Sequence, residues 1–139
     1  ACKVNVVIDT SVAVAWYCNE SFTLPAREWQ DKISSGRVRA IVPPLHYLEF
    51  ANVMRTYVRR GDLKQGIAEE IFNLHLELPM EVIEPSRHEL LTTAFEYETT
   101  VYDAAYIILA RAYDCSLVTA ERTTTPWVVK LGEDAIIVG

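Results

Sequence analysis

The chain has 139 residues, with 13 lysines and arginines against 19 aspartates and glutamates, and a formal charge of −6 at pH 7. At roughly 100 to 200 residues per domain, that length predicts a single domain spanning residues 1–139, with one core. Half of the chain is hydrophobic and 23% is charged, which argues against a disordered chain, while the acidic balance argues against a protein that coats nucleic acid through a general basic surface.

Taken in order, Val4-Asn5-Val6-Val7-Ile8 reads as a first, β-branched strand. Pro25 opens a helix on which Ala26, Trp29 and Ile33 share one face, and Gly36 ends it. Ala40-Ile41-Val42 is the second strand. After Pro43-Pro44, the residues Tyr47, Phe50, Ala51, Met54 and Val58 recur with helical period until Gly61. Asp62 with Gln65, and Ser86 with Glu89, have the spacing of helix-capping pairs, with Val82-Ile83 as a third strand between them. Val101, Ala104, Ala105, Ile108 and Ala112 repeat the helical stripe. Ile107 and Leu109 make that helix apolar nearly all round, which predicts burial. Leu117-Val118 is the fourth strand, Thr123-Thr124-Thr125-Pro126 a polar loop before a short helix at Trp127 to Leu131, and Ala135-Ile136-Ile137-Val138 the fifth strand. Strands separated by helical crossovers predict an α/β fold of three layers, α/β/α, around a five-stranded, mostly parallel sheet.

Cys2, Cys18 and Cys115 are odd in number and lack disulfide or zinc spacing, so free thiols in a reducing compartment are expected, with Cys18 and Cys115 in the core. The apolar stretches Val4 to Cys18 and Tyr106 to Ala110 are too short, or broken by Asp9, to span a membrane, and no basic-then-apolar leader precedes them; the expectation is a soluble, cytoplasmic protein. His46, His75 and His88 lack metal-ligand spacing and read as ordinary surface or partly buried histidines. Among only five glycines there is no phosphate-cradling loop, and no nucleophile elbow occurs.

Four acids stand out by position. Asp9 follows the first strand, at the carboxyl edge where parallel sheets bind ligands. Glu49 lies early in the Tyr47 helix among apolar neighbours, Asp103 in the first turn of the most apolar helix, and Glu121 two residues past Thr119, beyond the fourth strand. Each alone is also explained as a helix cap or an exposed loop acid. None has a Lys or Arg at i±3 or i±4, and a carboxylate near a core costs several kcal/mol without compensation. A divalent cation would compensate them. A set of carboxylates with the hydroxyls of Thr10, Ser11 and Thr119 nearby suits Mg²⁺ or Mn²⁺ rather than zinc, and such ions suit phosphoryl chemistry.

Asp9-Thr10-Ser11, Glu49 with Asn52-Val53, Tyr102-Asp103-Ala104-Ala105-Tyr106 and Thr119-Ala120-Glu121, in this order, resemble the PIN-domain family, and more narrowly its VapC-like toxin ribonuclease branch, from about Val4 to Val138. The resemblance implies a Mg²⁺- or Mn²⁺-dependent endoribonuclease that hydrolyses single-stranded RNA. Asp9, Glu49, Asp103 and Glu121 would be its catalytic and metal-holding acids, the last where the family more usually has Asp. It further implies a cognate antitoxin protein as partner and a homodimer.

Thr10, Ser11, Asn52 and Thr119 are the polar groups placed to orient carboxylates or water, Asn52 being one turn from Glu49. Arg55, Arg59 and Arg122 are the candidate RNA contacts, with Arg60 and Lys64 nearby. Trp16, Tyr17, Phe22 and Trp29 belong either to the core or to an antitoxin groove or dimer surface. The competing reading is a non-catalytic PIN-like module that binds RNA or protein.

Overall fold

A computed structural model describes residues 4–138; Cys2 lies outside them. Five strands, β1 (Val4–Ile8), β2 (Val38–Val42), β3 (Met80–Val82), β4 (Ser116–Thr119) and β5 (Ala135–Ile137), form one sheet in the order β3-β2-β1-β4-β5, and every pairing is parallel. Seven helices connect them: α1 (Thr10–Ala15), α2 (Thr23–Ser34), α3 (Leu45–Arg60), α4 (Gln65–Glu77), α5 (Leu90–Glu96), α6 (Val101–Ala112) and α7 (Pro126–Leu131).

The strand order explains the layers. The chain steps outward from β1 through β2 to β3, returns to the other side of β1 as β4, and steps outward again to β5. Because parallel crossovers are right-handed, reversing the direction of travel moves the helices to the opposite face of the sheet. Period-two alternation of the strands fills both cores. Val6, Ile8, Ala40, Val42 and Val118 pack with Val12, Trp16, Ala26, Ile33, Phe50, Met54 and Ala68 from α1 to α4. Val7, Ile41 and Leu117 pack on the other face with Tyr106, Ile107, Leu109 and Ala110 of α6 and with Trp127, Val128 and Leu131 of α7.

The direction of travel reverses between β1 and β4, whose register sets Ile8 opposite Val118. At such a switch point the connections leave the sheet in opposite directions and open a crevice at the carboxyl ends of the strands. The residues that follow β1 and β4 therefore face one crevice.

Local rules account for some element ends. Gly61 adopts a left-handed φ of 83° and ends α3 where only glycine is unstrained. Seven successive buried residues, Ala104 to Ala110, bear out the reading of α6 as a buried helix. Both expected capping pairs fail as side-chain caps. Lys64, not Asp62, occupies the N-cap of α4, and Gln65 bonds to Glu69 instead. Ser86 precedes only a 3₁₀ turn at Arg87–Glu89 and makes no cap bond. Cys18 and Cys115 are half-buried against the two cores rather than inside them, Cys18 shortly after α1 and Cys115 directly before β4. His88 is exposed as expected, but His46 and His75 are fully buried, which corrects their reading as surface or partly buried side chains. Among the described residues no helix is long and apolar enough to cross a membrane.

Candidate functional site

Asp9 sits directly after β1, at the N-cap position of α1, yet its side chain makes no cap hydrogen bond. Its Oδ2 accepts instead from Thr119 Oγ1 at 2.7 Å and from Ser11 Oγ at 3.3 Å. The strand that pairs with β1 thus orients the first acid. Glu49, in the second turn of α3, accepts at Oε1 from the Tyr106 hydroxyl at 2.6 Å and from Thr10 Oγ1 at 3.0 Å.

Asp103 lies in the first turn of α6, where the capping role is filled by Thr100, whose Oγ1 accepts from the Asp103 N–H at 3.1 Å. Its carboxylate is left to accept from Thr99 Oγ1 at 2.7 Å. Glu121 is exposed beyond β4; its N–H donates to Thr119 Oγ1 at 3.1 Å and its carboxylate accepts from Thr125 at 3.4 Å.

All four acids line one open cavity of about 400 Å³, together with Thr10, Ser11, Glu20 and the apolar walls Val14, Phe22, Val53 and Tyr57. No lysine, arginine or histidine lines it. The ion pairs among the described residues, Arg39–Glu81, Arg87–Glu84 and Arg111–Glu96, involve none of these five carboxylates. The electrostatic result falls on Asp9. Burial pushes its carboxyl up to about 6, the Thr119 hydrogen bond opposes the rise, and Asp103, Glu49 and Glu121 add to it.

Behind Glu49 runs a polar chain inside the core. His46 Nδ1 lies 3.2 Å from Thr10 Oγ1 and 3.3 Å from the Tyr106 hydroxyl, and these two hydroxyls are 2.6 Å apart. His46 Nε2 meets His75 Nε2 at 2.9 Å, and His75 Nδ1 meets the Tyr17 hydroxyl at 3.1 Å. Burial holds His46 down at about 3 and His75 at about 4, so both rings are neutral at pH 7. Burial, with Glu49 adding to it, pushes the Tyr106 phenol far up.

The structure brings Asp9, Glu49, Asp103 and Glu121 to one cavity and sets Thr10, Ser11 and Thr119 against the acids. Asn52 is exposed and does not line the cavity; Val53 and Tyr57, further along the same helix face, do. Arg55 and Arg59 line a separate groove between α3 and α4, with Met54, Val58, Ala68 and Phe72. Arg122 is exposed beside Glu121 and does not line the cavity. Trp16 is core, whereas Tyr17, Phe22 and Trp29 are half-buried against it, and Phe22 also forms a cavity wall.

Sequence reasoning missed Glu20 and the two buried histidines. Glu20 stands in a loop after α1 with no periodic pattern around it. For His46 a signal existed: it lies four residues before Phe50 on the buried face of α3.

Among the described residues no three His, Cys, Asp or Glu side chains close around a single point as a finished metal cage. The donor chemistry nonetheless fits a hard cation, because every side-chain donor is a carboxylate or hydroxyl oxygen and the negative charge is uncompensated. Asp9, Glu49 and Asp103 are the residues that could hold one, with Glu121 at the rim.

The PIN domain family model matches residues 6–123. No curated protein matches the sequence. Among solved structures, PAE2754 from Pyrobaculum aerophilum superposes with a TM-score of 0.74 at 24% identity, covering 97% of this chain and 84% of its own. A toxin–antitoxin complex from Klebsiella pneumoniae gives 0.64 at 14% identity, covering 96% of this chain and 98% of its own. VapBC2 from Rickettsia felis, bound to a DNA fragment from its promoter, gives 0.62 at 13% identity, covering 96% and 97%. The matched span begins in β1 and ends beyond Glu121, so it contains all five cavity acids with the elements that present them, and on this ground the chain belongs to the PIN domain family.

Proposed function

We propose that this protein is a Mg²⁺- or Mn²⁺-dependent endoribonuclease that hydrolyses phosphodiester bonds of single-stranded RNA, acting as the VapC-like toxin of a toxin–antitoxin pair. The observation that carries the reading is a cavity lined by five carboxylates and no cationic side chain, with Asp9 raised to about 6 by burial and its acidic neighbours. Such a cavity repels an RNA phosphate until its charge is neutralised. Membership of the PIN domain family and the fold shared with two toxin–antitoxin proteins support the same reading.

When bound, a divalent ion supplies that neutralisation and an activated water for attack on phosphorus. Asp9, Glu49 and Asp103 would hold it, with Glu121 at the rim of the cavity. Thr119 and Ser11 fix the Asp9 carboxylate, Thr10 and Tyr106 that of Glu49, and Thr99 that of Asp103. Arg122, the residue after Glu121, is one proposed phosphate contact, and Arg55 and Arg59 would meet RNA on the separate α3–α4 groove. The partners in this reading are a cognate antitoxin and a second copy of the chain, in the cytoplasm.

One observation favours the competing reading of a non-catalytic RNA- or protein-binding module: Glu121 is exposed and turned toward Thr125. Cleavage of a mixed-sequence, fluorophore-labelled single-stranded RNA in Mn²⁺, Mg²⁺ or EDTA, beside Asp103→Asn, decides between them. Metal-dependent cutting that disappears in the variant establishes the nuclease. Absence of both cutting and calorimetric Mn²⁺ binding overturns the nuclease and favours the module.

A further inference from the structure

We propose that His46 and His75 are positioning residues: two neutral imidazoles forming a hydrogen-bond relay of fixed direction, from Tyr17 to Glu49, that holds the Glu49 carboxylate in place for its cation. The inference rests on the nuclease reading for the purpose of Glu49 and on proton counting for its direction.

The counting starts at the carboxylate. The Glu49 carboxylate accepts from Tyr106 at 2.6 Å and from Thr10 at 3.0 Å. Each hydroxyl has one proton, and whether both point at Glu49 or one passes through the other across their 2.6 Å contact, both are committed toward the acid. Neither has a proton left for His46 Nδ1, 3.2 and 3.3 Å away, so that nitrogen must be the donor.

A neutral His46 protonated on Nδ1 is bare on Nε2. The 2.9 Å contact between the two Nε2 atoms needs one proton, which His75 must then supply. His75 is in turn bare on Nδ1 and accepts the Tyr17 hydroxyl at 3.1 Å.

The opposite direction would divert a hydroxyl proton from Glu49 to His46 and remove one of the two donors that fix the acid. The surroundings are rigid as well. Phe50 stacks on His75 with ring centroids 4.1 Å apart, and Trp16, Tyr17 and Tyr47 enclose the same ring. Among the described residues no buried side-chain nitrogen or oxygen lacks a partner, so every link of this chain is satisfied inside the core.

The test begins on metal-free protein, where long-range proton–nitrogen correlation spectra read imidazole tautomers at pH 7. His46 is expected to be protonated on Nδ1 and His75 on Nε2. The reverse pair, or a mixture at either ring, overturns the relay whether or not the protein cuts RNA. The second arm compares Mn²⁺ affinity and cleavage for His46→Asn and His46→Leu. The Asn amide N–H takes the place of Nδ1–H, so His46→Asn retains most of the affinity and kcat. His46→Leu loses about 10- to 100-fold in both, with KM for RNA unchanged. Equal losses in the two folded variants overturn the positioning role.

His75→Phe keeps the stack on Phe50 while removing the donor, and is expected to release the single His46 tautomer and weaken Mn²⁺ binding; an unchanged His46 tautomer overturns the relay. Wild-type protein that neither binds Mn²⁺ nor cuts RNA defeats the nuclease reading, and the tautomers alone then decide the relay.

Discussion

Thr119 Oγ1 donates to Asp9 Oδ2 at 2.7 Å, joining residues 110 positions apart through the neighbouring strands β1 and β4. The same oxygen accepts the Glu121 N–H at 3.1 Å, so one hydroxyl fixes both the Asp9 carboxylate and the backbone of Glu121. Thr119→Val keeps the shape and removes the hydroxyl. The expected result is a carboxyl on Asp9 raised above its present value of about 6, a Mn²⁺ affinity about 10-fold weaker and a stability loss of about 1 kcal/mol. Calorimetry measures the affinity, its pH dependence reads the Asp9 carboxyl, and chemical denaturation measures the stability.

Mn²⁺ binding must displace the proton that Asp9 carries below pH about 6. Affinity is therefore expected to be nearly level above pH 7 and to fall about tenfold per unit as pH drops below 6. Titrations at pH 5 and 7 in two buffers of different ionisation enthalpy check both the fall and the released proton. A flat profile would show that Asp9 is not a ligand.

Metal-free stability responds to pH through the histidines with the opposite sign from Asp9. His46 and His75 have folded values of about 3 and about 4, below the ordinary 6.5, so the unfolded chain binds more protons between these limits. Their contribution is complete above pH 6.5 and is lost as pH falls toward 4. Asp9, raised from 3.8 to about 6, makes the folded state the better proton binder in its window and offsets part of that loss. At about 1.4 kcal/mol per unit for each group, the net loss between pH 7 and 5 is roughly 2 kcal/mol. Urea unfolding at the two pH values measures it, and His75→Phe flattens the dependence.

The arginines are separable by salt. Each phosphate contact to a single strand contributes about −0.7 to the slope of log affinity against log salt. Arg122→Gln, beside the cavity mouth, is expected to reduce the steepness by about one such step. Arg59→Gln, on the α3–α4 groove, is expected to change it only for RNA long enough to reach that groove. Fluorescence anisotropy with short and long oligonucleotides distinguishes the two.

The fold was largely legible because β-branched runs and helical stripes obey different periods, and all five strands appear where Val4–Ile8 and its counterparts suggest, with ends shifted by one or two residues. The α3 and α6 stripes were equally plain. Caps were less so: Asp62 and Ser86 have the right neighbours in sequence, but the chain enters those helices by another route and leaves the side chains unbonded.

Asp9 and Glu121 were legible by position, since residues that follow β1 or β4 face the switch-point crevice, whereas Glu49 and Asp103 reach the cavity from α3 and α6. What sequence could not supply was the angle around a helix. Asn52 and Val53 both follow Glu49 by about one turn, yet only Val53 reaches the cavity. The His46–His75 contact joins α3 and α4 over 29 residues, and no local pattern encodes it. A histidine reads as polar in any periodicity count, whereas here two of them satisfy each other in a place an aliphatic pair would otherwise fill.

β1 has partners from opposite ends of the chain, β2 on one side and β4 on the other. Asp9 and Glu49 are made early, but the wall that carries Asp103, Thr119 and Glu121 comes from the last third of the sequence, and the Asp9 N–H is bonded to the Val118 carbonyl at 3.0 Å. A growing chain therefore holds Asp9, Glu20 and Glu49 but lacks Asp103 and Glu121, and the five-carboxylate cavity is complete only once β4 has inserted beside β1. The full set of cation ligands arises only at that step, so synthesis itself delays any cation-dependent activity until nearly the whole protein is made.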